Sequence, residues 1–127
     1  MINNNFEKKL KSKEFVFTAE TSPPDSTVRS EITDRVLCLK DLADAINVTD
    51  GASAKSHLSS LVVSSIIKDI EIEPILQLTT RDRNRIAIQS DLLGAWSLNI
   101  QNILCIYGDQ VETGDPVSYT HLTLPTK

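Results

Sequence analysis

Glycine is scarce in this chain, four residues in 127, and the scarcity narrows the fold. A dinucleotide-binding turn of the GxGxxG kind needs its glycines between the first strand and the following helix. The stretch in that position, ETSPPDST at 20–27, has two prolines and no glycine. Cysteine is scarcer still. Cys38 and Cys105 lie far apart in apolar surroundings, with no CxxC and no clustered histidines, so they read as small buried hydrophobes in a reducing compartment rather than a disulfide or metal pair. Basic blocks are missing too: 13 Lys and Arg face 17 Asp and Glu, and the densest basic stretch, RDRNR at 81–85, is interrupted by an aspartate. That excludes a nucleic-acid partner held by bulk electrostatics. No apolar run approaches the roughly 18–20 residues of a membrane span, and the amino terminus, MINNNFEKKLKSKE, offers no apolar core for a signal peptide. The expected location is the cytoplasm, and the length suits one modest domain.

The apolar residues that are present fall into two rhythms. FVFTAE (15–20), AINVT (45–49), IEPILQLT (72–79) and NILCIYG (102–108) read as short buried strands. Between them, Val28, Ile32, Val36, Leu39 and Ala43 recur at helical spacing, as do Leu58, Leu61, Val62 and Ile66 within about 56–69. A third helix is expected over about 82–98, with Ile88, Leu92, Leu93 and Trp96 on it and Asp82 at its start. The βαβαβαβ alternation calls for parallel strands with right-handed crossovers. Both the open doubly wound sheet and the closed eightfold barrel share that rhythm, and four strands do not choose between them.

Each predicted strand ends in polar residues: Glu20, then Thr49 and Asp50, then Gln77 and Thr79, then Asp109. A parallel sheet brings all four ends to its carboxyl edge, where such folds build their sites. A single TDG is ordinary turn chemistry, and so is Gly108-Asp109. Four successive polar ends favour a site. Glu20 leaves an apolar strand just before the stiff TSPP loop. A carboxyl desolvated in such a place suits a general acid; the alternative is a glutamate paired with a nearby Lys or Arg. Gly108 permits close backbone approach. His57, early in the second helix, reads as an exposed polar residue, and RDRNR as a solvated helix start.

The segments FVFTAETSPP, INVTDG, EPILQLTTRDRNR and QSDLLGAWSLNIQNILCIYGDQVETGD stand in one order and spacing, and together they resemble the amino-terminal half of the methylenetetrahydrofolate reductase family from about Glu14 to Asp115. RDRNR is similar to one branch of that family. The resemblance implies the first four βα units of a (βα)8 TIM barrel, with FAD at the carboxyl rim. It also implies a cytoplasmic, folate-binding, homo-oligomeric enzyme of tetrahydrofolate interconversion and methionine biosynthesis. Such an enzyme takes hydride from NAD(P)H and passes it from flavin N5 to 5,10-methylenetetrahydrofolate, giving 5-methyltetrahydrofolate. By resemblance, Glu20 is the acid that protonates the folate so that its five-membered ring opens to an iminium ion. Asp109 lies near flavin and pterin, where its charge favours that cation. Thr49, Gln77, Thr79 and Gly108 fall among the flavin contacts, with Gln77 standing where many relatives have histidine. No metal site is implied.

Residues 1–13 read as an amino-terminal extension and 14–115 as the partial barrel. The last twelve, PVSYTHLTLPTK (116–127), resemble a translated transposase sequencing adapter and read as a non-native tail. On this reading the chain is half of a barrel of roughly 225–250 residues, with unpaired outer strands and an uncovered apolar inner face, and is inactive as it stands. Two alternatives remain: a noncatalytic half-barrel binding or assembly protein, and part of a fused homocysteine methyltransferase and reductase.

Overall fold

A computed structural model describes residues 5–110. Helix α1 (Asn5–Ser12) precedes three repeats of strand and helix and a fourth strand: β1 (Thr18–Thr21), α2 (Arg29–Leu37), β2 (Ala45–Val48), α3 (Ser60–Asp69), β3 (Pro74–Thr79), α4 (Arg85–Ser97) and β4 (Asn102–Ile106), with a 3-10 turn at Ala52–Ala54. All neighbouring strands are parallel, in the sequential order β1-β2-β3-β4.

Register fixes which side chains share a face. Ala19, Ile46 and Pro74 are aligned across β1, β2 and β3, as are Val48, Leu76 and Ile103 across β2, β3 and β4. Ile46 and Val48 pack with Ile32 and Val36 of α2 and with Val63, Ile66 and Ile67 of α3. Leu76 packs with Ala95 of α4 and Ile100. The three crossover helices therefore lie on one side of the sheet. A doubly wound sheet reverses its strand order and places helices on both faces; sequential order with helices on one face is the arrangement of a TIM-barrel-like fold. Full burial of Ile46 and Val48 contributes about 2 kcal/mol each, so this face holds the domain together.

The other face differs from expectation. Its aligned residues include Thr18, Glu20, Asn47, Gln77, Thr79 and Asn102 as well as Ile75, Leu104 and Ile106. It is a mixed polar surface and not an apolar one. Thr18, Glu20 and Leu104 are exposed on it.

Local chemistry also moves several boundaries. Strand β1 starts at Thr18 rather than residue 15, and Phe15 is 87% exposed. Helix α2 ends at Leu37, short of the expected 43, because Asp41 takes a left-handed φ of 66° and the Leu39 carbonyl accepts from both Leu42 and Ala43 N–H. Helix α3 starts at Ser60, after the turn at Ala52–Ala54, and not near residue 56. Asn84, not Asp82, caps α4, accepting from Ala87 N–H at 2.9 Å. Both cysteines are free and exposed, contrary to the burial expected of them: Cys38 follows the last turn of α2, and Cys105 sits on β4, one of the two edge strands among the described residues.

Three helices stop on a left-handed residue that is not glycine: Lys13 (φ 58°), Glu71 (φ 64°) and Asn99 (φ 60°). After α3, Glu71 N–H donates to Lys68 O and Ile72 N–H to Ile67 O; after α4, Asn99 N–H donates to Trp96 O and Ile100 N–H to Ala95 O. After α1, Lys13 and Glu14 bond to Leu10 O and Lys9 O in the same way. This paired bonding is the Schellman motif. Residues 116–127, with the proposed adapter-derived tail, and the Asp115 limit of the resemblance lie outside the described residues. No helix among the described residues is long and apolar enough to cross a membrane.

Candidate active site

The carboxyl rim of the sheet is tied together by two arginines and one aspartate. Asp50, just past β2, accepts the Thr79 N–H at 2.8 Å, while its backbone carbonyl accepts the Thr79 hydroxyl at 2.8 Å. Arg83 donates to the Asp50 carboxylate, to Thr79 O at 2.9 Å and to Asp91 at 2.9 Å. Burial works against the charge on Arg83, but the hydrogen bond and charge of Asp50, followed by those of Asp91, outweigh it and raise its pKa.

Arg81 is 6% exposed. Its guanidinium is gripped by the Asp82 carboxylate, with Nε at 3.1 and 3.0 Å and Nη2 at 2.7 Å, and it reaches Asp109 O at 2.7 Å and Gly51 O at 3.4 Å. The hydrogen bond to Asp82 raises its pKa against the opposing effect of burial, with further support from the charges of Asp82, Asp109 and Asp50. The two rim glycines are shaped around this side chain. At Gly51 (φ 57°) a Cβ would lie 3.0 Å from Arg81 Nη2; at Gly108 (φ 102°) it would lie 2.4 Å from Thr79 Cγ2 and 3.1 Å from Arg81 Nη1. Gly108 thus permits a close approach to the protein's own strand. RDRNR is a helix start, with Asp82, Asn84 and Arg85 exposed, but Arg81 is buried and Arg83 half-buried rather than solvated: an arginine with five donors in a rigid fork can satisfy several carbonyls and a carboxylate at once, and this removes it from water.

Beyond Gly51 the backbone stays left-handed at Ser53 (φ 56°) and Ala54 (φ 54°), a costly conformation for residues with a Cβ. The strap delivers the Ser53 N–H to Asp109 Oδ2 at 2.6 Å. His57 is half-buried rather than exposed, its Nε2 lying 3.3 Å from Ala52 O.

Glu20, Thr49, Gln77, Gly108 and Asp109 come together in one cleft of about 260 Å³, completed by Asp50, Ala52 and Ile106. The ends of β1 and β4 thus share one mouth. Glu20 is exposed, so the expected desolvation is absent in this structure; the strand that carries it has no covering layer on that face. It forms no ion pair among the described residues. Gln77, only 9% exposed, also leaves its side-chain amide without a hydrogen bond among the described residues. Its backbone carbonyl accepts from Ser60 Oγ at 3.1 Å, anchoring α3 to β3. Thr49 donates its hydroxyl to Ser22 Oγ at 3.0 Å. Thr79 stands apart from this group: it is 1% exposed, its hydroxyl is committed to Asp50, and it lines a neighbouring cavity of about 340 Å³ with His57, Asp82 and Arg83.

The cleft offers a free carboxyl, a free amide, and a carboxylate held by one oxygen. Its volume lies just below the roughly 300–1,000 Å³ of enclosed ligand sites, as suits one wall of a larger site on an open sheet face. Arg81 and the Ser53 strap were missed by sequence reasoning; the only signal was the neighbouring positions of two glycines and an arginine-rich turn at successive strand ends.

A one-layered parallel sheet with its polar groups converging at the carboxyl edge defines an enzyme-type α/β fold. The family model for methylenetetrahydrofolate reductase matches residues 5–123, and the chain belongs to that family. Membership gives it a folate-related oxidoreductase character within one-carbon metabolism. No curated protein matches the chain.

Proposed function

We propose that this chain forms the first four βα units of an eightfold barrel that reduces 5,10-methylenetetrahydrofolate to 5-methyltetrahydrofolate with FAD and NAD(P)H. The observation that carries the reading is the sharing of one cleft by Glu20 and Asp109, from the first and fourth strands, with Thr49 and Gln77 between them. The Gln77 amide, which lines the cleft and has no hydrogen-bond partner among the described residues, can bond a ligand rich in ring nitrogens and carbonyls, as a flavin is.

Thr49, Gln77 and Gly108 would hold the flavin, which when bound supplies hydride transfer from nicotinamide to folate. Glu20, free of any cationic partner among the described residues, can carry a proton to the folate nitrogen whose bond to the methylene carbon breaks when the five-membered ring opens. The remaining strands of a closed barrel would cover the open face and desolvate that carboxyl, which favours proton donation near neutrality. Asp109 places a negative charge where the opened cation develops. Its Oδ2 is fixed by the Ser53 N–H, so the charge needs little reorganisation.

Glu20→Gln in the full-length protein tests this. Folate reduction is expected to fall by about 10²- to 10⁴-fold, the usual contribution of a general acid, while reduction of bound flavin by NAD(P)H persists. Loss of both half-reactions together counts against Glu20 as the folate acid, and a purified protein without a yellow chromophore counts against the flavin.

A further inference from the structure

We infer that Arg81 is a positioning residue that fixes the Asp109 carboxylate over the cleft by clamping the chain after β4 to the strap after β2. This inference rests on the reading of Asp109 given above. Three observations support it. The guanidinium is nearly buried and held in plane by the Asp82 carboxylate, so its direction is set before any ligand binds. From that fixed position it donates to Asp109 O on one side and Gly51 O on the other. Between those two points the Ser53 N–H closes the ring by donating to Asp109 Oδ2. Gly51 and Gly108 are the two positions where a side chain would press on the guanidinium. The clamp thus locates a carboxylate through its own backbone, with no contact between Arg81 and the atoms that would react.

Lysine cannot reproduce the clamp. An ammonium gathers its three donors at one tetrahedral point, whereas the planar guanidinium spreads its donors over three nitrogens and so meets the Asp82 carboxylate and the two carbonyls along their separate directions. Arg81→Lys keeps the charge and loses the fork, and Arg81→Met loses both.

Two measurements on the full-length protein separate this inference from the catalytic reading. Amide exchange at Ser53 is expected to accelerate about tenfold or more in both variants, the loss of a charge-supported contact, while amides of β2 and β3 change little. In the two half-reactions, a displaced Asp109 is expected to lower kcat for folate by about 10- to 100-fold, with KM and flavin reduction by NAD(P)H nearly unchanged. Unaltered Ser53 exchange in Arg81→Lys overturns the clamp, whatever the protein catalyses. Acceleration at Ser53 with unchanged folate turnover overturns Asp109 as the group being positioned for chemistry. If Arg81→Met does not fold, Arg81→Lys carries both readouts.

Discussion

The two ends of the sheet are sealed by different cations. At the amino end, Lys9 pairs with Asp44, Lys68 with Glu73 and Lys40 with Glu71. At the carboxyl end the work is done by Arg81, which joins the Asp82 carboxylate to the carbonyls of Asp109 and Gly51, and by Arg83, which joins the carboxylates of Asp50 and Asp91 to Thr79 O. A lysine on its flexible stem satisfies a point and tolerates drift; an arginine fork fixes directions. The amino rim is therefore a seal, and the carboxyl rim is a frame. This difference is what an enzyme-type α/β fold requires, because only the carboxyl rim must hold groups at set positions.

The comparison can be broken most severely at Gly108. Gly108→Ala sets a Cβ against Thr79 Cγ2 and forces a strained φ, and is expected to cost about 3 kcal/mol, read as a lower urea midpoint. Next is the matched pair Arg83→Met and Lys68→Met. The first strips partners from the mostly buried Asp50 carboxylate and should cost about 2–3 kcal/mol. The second removes the cation from Glu73, whose carboxylate is also mostly buried but keeps the hydrogen bond from Asn102 Nδ2, and should cost about 1–2 kcal/mol. Equal losses in the two variants would erase the distinction between seal and frame. The smallest effect concerns acid. Asp44 is held below its ordinary 3.8 by the hydrogen bond from Lys9, then by the Phe17 N–H, against the opposing effect of burial. A depressed carboxyl contributes stability that is complete above its unfolded value and is lost as pH falls through the folded one. The urea midpoints of wild type and Asp44→Asn should therefore differ fully at neutral pH and converge as pH is taken below 3.8.

Much of this architecture was legible in the chain. The strands β2 and β3 carry Ile46, Val48 and Leu76 on the face that the helices cover, a pattern legible as short apolar runs, and parallel topology brings the ends that carry Glu20, Thr49, Gln77 and Asp109 to one rim. Less legible were features set by long-range partners. Nothing local to RDRNR says that Arg81 will be drawn between two glycines distant in sequence. Phe15 and Phe17 look like strand residues, yet they lie outside the sheet, and apolar composition does not reveal which strand residues lack a covering layer. Helix boundaries were unevenly legible. The end of α2 and the starts of α3 and α4 were misplaced, the last because Asn84 rather than Asp82 is the cap. The expected ends near 69 and 98 match α3 and α4, although the stops after α1, α3 and α4 are made without glycine.

Those stops have a consequence of their own. At Lys13, Glu71 and Asn99 the turn is imposed by the packing that follows it, against a residue that resists the shape. The molecule thus keeps three corners under mild tension, and glycine at 13 or 71 should relax each by about 1 kcal/mol. Thermal resistance can be raised at the back of this protein without touching the mouth where its chemistry is expected.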